Sequence, residues 1–121
     1  MTTPEDRLDA LGIELPAPMK PVATYVPFVI TGNLLFVSGQ VSATPHGRIN
    51  GRVGEDMELS AAQHAARQCG INLIAQCKAA VGDLMVEVFG DAGRHARSAV
   101  ACPVLPMGVA VEVDGIFEIT E

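Results

Sequence analysis

Tryptophan is absent, tyrosine occurs once, and aromatic residues make up only 4% of the 121-residue chain. The core must therefore come from Val, Ile, Leu, Ala and Met, within a hydrophobic content of 49%. Long apolar runs are also missing, because Lys, Arg, Asp or Glu interrupts every stretch that approaches a membrane span. Basic residues are few, 8 against 14 acidic ones, and the resulting net charge of -6 repels phosphate backbones. No nucleic-acid partner and no membrane are expected. The three cysteines, Cys69, Cys77 and Cys102, form no CxxC pair, and His46, His64 and His95 have no metal-ligand spacing. Reduced thiols, no metal and no cofactor follow as expectations. The N-terminal residues lack the basic and apolar regions of a signal peptide, so a cytoplasmic location is expected. GxSxG, P-loop and HExxH motifs are absent as well.

What is present fits one domain over residues 1–121, short enough to gain by covering apolar surface through oligomerisation. Leu8, Leu11 and Leu15 repeat at helical spacing after Thr3-Pro4, which predicts a first helix over Pro4 to Leu15. A proline-rich connector, Pro16 to Pro21, cannot continue it. Two β-type runs follow, Val22 to Ile30 and Leu34 to Val41, joined by the tight link Thr31-Gly32-Asn33. Pro27 points to an edge position or a bulge in the first run. A turn-rich stretch from Ser42 to Gly54 leaves room for a short strand around Arg48 to Val53.

The clearest helix runs from Ser60, with a capping-box spacing to Gln63, towards Gly82. Its apolar stripe is Ala62, Ala66, Cys69, Leu73, Cys77 and Ala80, which makes Cys69 and Cys77 small buried packing residues. Residues 84–93 read equally as a short helix or a buried strand. Two strands close the chain, Ser98 to Leu105 and Val109 to Ile119, joined through Pro106-Met107-Gly108. The last alternates Val109, Val111 and Val113 against Ala110, Glu112 and Asp114. The sum is an α+β fold, with helices on one face of a largely antiparallel sheet.

Four places could carry chemistry. Arg97, at a strand mouth, offers a fork of donors suited to a carboxylate, or pairs with a neighbouring acid at the surface. Glu112, flanked by Val111 and Val113, is either a solvated-face residue or a buried acid whose raised pKa could serve proton transfer. Tyr25 combines an apolar ring with a hydroxyl. Ser38-Gly39-Gln40 ends an apolar strand with small residues, which permits close approach by a ligand or marks a bulge.

Taken together, Pro21-Val22-Ala23-Thr24-Tyr25-Val26-Pro27 and Thr31 through Gln40 resemble the first hairpin of the YjgF/RidA family. Arg97-Ser98-Ala99-Val100, Leu105-Pro106 and Val109-Ala110-Val111-Glu112-Val113 resemble its distal block. Leu11 through Pro16 and Phe89 through Arg97 resemble a less characterised branch of that family. The resemblance implies a chorismate-mutase-like α+β fold and a homotrimer with clefts between subunits. It implies hydrolysis of reactive enamine/imine intermediates, such as 2-aminoacrylate, to 2-keto acids and ammonia. Arg97 would hold the substrate carboxylate, Glu112 would position or activate water, Tyr25 would wall the pocket, and the Ser38-Gly39 backbone would touch the ligand. Alternatives are a non-catalytic trimer binding small carboxylate metabolites, and the endoribonuclease or translation inhibitor of older family labels. Two departures stand out: Ala99 replaces a cysteine often found in the family, and a segment near residues 84–85 is missing against the family pattern.

Overall fold

The structure, a computed structural model, describes residues 3–81 and 104–119. The ambiguous segment 84–93, the strand expected from Ser98, Cys102, and Arg97 itself lie outside the described residues.

Helix α1 spans Pro4–Ala10 and opens with a reciprocal cap. The Thr3 hydroxyl accepts from the Asp6 N–H at 3.1 Å, while the Asp6 carboxylate accepts from the Thr3 N–H at 2.9 Å. These bonds, the backbone one first, hold the Asp6 carboxyl below its ordinary range. The helix stops five residues short of the expected Leu15. Gly12 takes φ +64, and the Ile13 N–H reaches back to the Leu8 carbonyl at 2.9 Å. That left-handed closure ends the helix although the leucine spacing continues.

Strand β1 spans Phe28–Thr31 and pairs antiparallel with β2, Leu34–Val41, through a two-residue loop in which Gly32 has φ +59. The expected run from Val22 is thus shortened: residues 22–25 form bends, and Pro27 immediately precedes the strand. Strand β5, Glu112–Glu118, pairs with the other side of β2 and gives the sheet order β1-β2-β5. Among the described residues β1 is an edge strand. A minor hairpin of β3, Ala43–Thr44, and β4, Gly47–Arg48, occupies part of the turn-rich stretch. The bridges Asn50 to Val109 and Val53 to Met57 stand where a strand over Arg48 to Val53 was expected.

Helix α2, Leu59–Val81, contains no proline and is rich in Ala, the best helix former, with Gln next. It begins one residue before Ser60, and the Glu58 carbonyl accepts from the Ala62 N–H at 3.1 Å. Ser60 is therefore inside the first turn and not its flanking cap. The helix packs across one face of the sheet: Leu73 and Cys77 meet Leu35 and Val37, with Phe28, Val113, Phe117 and Ile119 around them. Cys69 and Cys77 are buried, as the stripe requires. Ala66 is exposed and Ala65 takes its place, while Asn72 and Gln76 widen the buried stripe with two amides. Along β5 the burial alternates residue by residue, so Val113 and Phe117 face the helix while Glu112, Asp114 and Ile116 face away. No helix among the described residues is long and apolar enough to cross a membrane.

Candidate functional site

The pairing of β2 with β5 slips at one point. Val37 lies opposite Gly115 and Gln40 opposite Val113, so β2 uses three steps where β5 uses two. The extra residue is a β-bulge at Ser38-Gly39, one of the two outcomes the sequence leaves open there. The Ser38 N–H donates to the Pro27 carbonyl at 2.9 Å, which extends the β1 edge to the bulge.

Glu112 begins β5 beside this bulge and is exposed. Its carboxylate lies over Gly39: a side-chain carbon there would overlap Oε1 and stand 2.9 Å from Cδ and 3.0 Å from Cγ. Glycine at position 39 thus leaves room for the Glu112 carboxylate, which a side chain there would displace, and its φ is not in the left-handed region. Among the described residues, no donor is hydrogen-bonded to the Glu112 carboxylate.

The backbone beside Glu112 is held from below. The Val111 carbonyl accepts from the Ser42 N–H at 3.0 Å and from the Cys69 thiol at 3.4 Å. The Val111 N–H donates to the Ser42 hydroxyl at 3.3 Å, and that hydroxyl donates to the Ile49 carbonyl at 2.9 Å. Burial pushes the Cys69 thiol up to about 12, and the negative charge of Glu112 adds to the rise. Cys69 is thus a packing residue, protonated at neutral pH. Ser42 is fully buried, and its hydroxyl both accepts and donates. Its position within a turn-rich segment gave no sequence signal.

Two buried amides complete the support. Asn72 donates to the carbonyls of Val41 and Ala43, both at 3.0 Å, and fixes the end of β2 to the helix. Gln76 reaches the Met19 carbonyl at 2.9 Å and the Gln40 side chain at 3.5 Å. The signal that could have found them is their four-residue spacing inside the apolar stripe of α2, where polar groups need a partner.

The structure thus brings together three of the residues selected from sequence: Ser38, Gly39 and Glu112. Tyr25 is not mid-strand. It is half-exposed in the connector, in a bend closed by its own N–H on the Ala23 carbonyl at 2.9 Å. No hydrogen bond among the described residues joins it to the bulge. Arg97 lies outside the described residues. A cavity of about 200 Å³ between Pro16, Met19, Thr44 and Asn72 touches none of the sequence-selected residues. Among the described residues, those lining this cavity and one other include none at the bulge.

No known family description matches the chain. Individual proteins do. The Trypanosoma cruzi protein TCP17 is 34% identical, with 93% of this chain and 91% of that protein covered. Its alignment runs over 146 positions against the 121 residues here, so at least 25 positions have no counterpart in this chain. An Agrobacterium tumefaciens crystal structure, of a protein with unknown function, is 37% identical with a TM-score of 0.81. It is covered over 92% of its length by 96% of this chain. A Shewanella oneidensis structure described as a "putative endoribonuclease" is 30% identical with a TM-score of 0.87, covering 96% of this chain and 99% of its own.

Proposed function

Because the chain belongs to the YjgF/RidA family, we propose that it hydrolyses small imines and enamines that carry a carboxylate. The observation that carries this reading is the seat of the Glu112 carboxylate over Gly39 at the β2 bulge. An imine carbon is already electrophilic, so orientation and one proton-transfer partner suffice. Glu112 takes a proton from water as the water oxygen bonds to the imine carbon. That proton passes to nitrogen and gives a carbinolamine. The hydroxyl proton then moves through Glu112 to nitrogen as the carbonyl forms and the carbon–nitrogen bond breaks, so that ammonia leaves a 2-keto acid behind. An enamine enters the same route once a proton from water on its terminal carbon has made it an imine. Arg97 is the proposed partner of the substrate carboxylate, the Ser38-Gly39 backbone lines the reacting end, and Tyr25 closes the site. No cofactor enters this scheme.

The site is completed by other copies of the chain in a homotrimer. Support comes from the sheet face turned away from α2, where Val29 pairs with Phe36 and Phe36 with Ile116. These three side chains are 51%, 42% and 64% exposed, an apolar row across three strands that water leaves unsatisfied. The additional positions of the trypanosomal relative are assigned in this proposal to the neighbourhood of residues 84–85, where the family pattern is interrupted.

The test is ammonia release from enzymatically generated 2-aminoacrylate. Wild type should accelerate it, and Glu112→Gln and Arg97→Ala should each lose most of the acceleration. Equal rates in all three proteins would sink the proposal. Pyruvate binding that needs Arg97, without turnover, would instead identify a non-catalytic carboxylate binder. Endoribonuclease activity is favoured by the description of the Shewanella relative and opposed by the net charge of -6. RNA cleavage that co-purifies with the oligomer and persists in both variants would restore it.

A further inference from the structure

Two buried side chains form a chain of hydrogen bonds from helix α2 to the bulge of the proposed site. Gln76 and Gln40 are 1% and 5% exposed. The Gln76 amide nitrogen donates to the Met19 carbonyl at 2.9 Å and, at the long limit, to Gln40 Oε1 at 3.5 Å. The Gln40 nitrogen donates to the Ser38 carbonyl at 3.0 Å and the Gly39 carbonyl at 3.4 Å. The two amides can be oriented in only one way. Met19 requires a donor from Gln76, and the two bulge carbonyls require a donor from Gln40, which turns the Gln40 oxygen towards the helix.

This relay acts on the peptide that forms the floor of the site. Peptide bonds among the described residues are trans and planar, so each N–H points opposite its own carbonyl. Holding the Ser38 carbonyl on the Gln40 amide turns the Gly39 N–H away from that amide. The Gln76 oxygen, meanwhile, is buried with no donor among the described residues. A buried acceptor without a partner is a cost that an apolar side chain of the same length would avoid. Packing alone would therefore favour methionine at position 76, and what the glutamine adds is its nitrogen.

We propose that Gln76, acting through Gln40, is a positioning residue that sets the Ser38-Gly39 peptide and hence the backbone donor offered beside Glu112. This rests on the carboxylate-binding reading given above. The relay couples helix α2 to the bulge and explains why Gln76, one of the two amides there, interrupts an otherwise apolar stripe.

The test uses the full chain, labelled with nitrogen-15, and pyruvate as the probe. The Gly39 amide resonance is assigned by its loss in Gly39→Ala, then followed in wild type, Gln76→Met and Gln40→Met. Its position should move in both methionine variants, and pyruvate affinity should fall about tenfold, the effect of one misdirected donor. An unmoved Gly39 signal with unchanged affinity in folded Gln76→Met overturns the proposal. Should that variant fail to fold, Gln40→Met decides on the same two readouts. Absence of any pyruvate response in wild type counts against carboxylate binding at this site. Even then, the Gly39 signal in the variants decides whether the relay sets the peptide.

Discussion

The Glu112 carboxylate fills the space that a side chain on Gly39 would need. Gly39→Ala must displace it, because the new carbon would overlap Oε1. Glu112 is exposed and the far end of its side chain can swing away, so stability should change by no more than about 1 kcal/mol. The function should not survive as well. Displacing a catalytic carboxylate by about 1 Å can cost about 100-fold in rate. Deaminase assays beside thermal melts check the split, and Glu112→Gln combined with Gly39→Ala should be little worse than either alone. Full activity in Gly39→Ala would mean that the carboxylate has no need of this seat.

How much of this was legible in the sequence depends on the length of the signal. Helix α2 and the alternation of β5 each run long enough to fix a period; α2 stands where the pattern puts it, while β5 keeps its alternation but starts at Glu112 rather than Val109. The first helix was overextended because leucine spacing continues past Gly12, where the left-handed turn ends it. Ser38-Gly39 was marked as a bulge or a ligand contact, and the register shift shows the bulge. For Glu112 the sequence offers a solvated face or a buried acid, and its exposure selects the solvated face, because a single period-2 strand does not say which of its faces a helix will cover. Gln76, Ser42 and Asn72 were not singled out. Their partners lie 57, 69 and 31 residues away, for Met19, Val111 and Val41 respectively, and no local pattern encodes such pairings.

Burial pushes both Cys69 and Cys77 up to about 12, from an ordinary thiol value of 9.0. A thiol raised on folding stays protonated in the native state while the unfolded chain releases its proton. The stabilising contribution is therefore fully present below pH 9.0 and is lost as pH rises towards about 12. Urea midpoints should be flat with respect to these groups from pH 7 to 8.5 and fall steadily above pH 9. Cys69→Ala/Cys77→Ala should flatten the fall while lowering stability at neutral pH through lost packing. Iodoacetamide at pH 8 should leave both thiols unmodified until denaturant is added.

The apolar row of Val29, Phe36 and Ile116 gives a test of assembly that is separate from catalysis. Sedimentation of the wild type should give a mass near 38 kDa, three times 12.7 kDa. Phe36→Asp or Ile116→Asp places a charge on the face that a partner would cover, where burial without a counter-ion is costly. Both variants should sediment near 12.7 kDa while keeping their far-ultraviolet circular dichroism, because neither side chain belongs to the core beneath α2. Deaminase activity should disappear with the trimer. A monomeric wild type would remove the assembly part of the proposal.

Met107 is the one non-glycine residue with positive φ among those described, at φ 60 and ψ 15. It sits in the 3-10 turn Pro106–Gly108 and is 40% exposed, so little packing offsets its conformation. A left-handed conformation costs an ordinary side chain about 1–2 kcal/mol, and asparagine tolerates it better than most. Met107→Asn should therefore raise stability by about 0.5–1 kcal/mol. Met107→Gly should gain less, since glycine also loses more freedom on folding. Met107→Val should lose stability, because branching at Cβ makes positive φ worse. Urea unfolding at constant slope ranks the four proteins, and the order Asn, Gly, Met, Val is expected. A Val variant as stable as wild type would show that the turn relaxes out of the left-handed region at no cost.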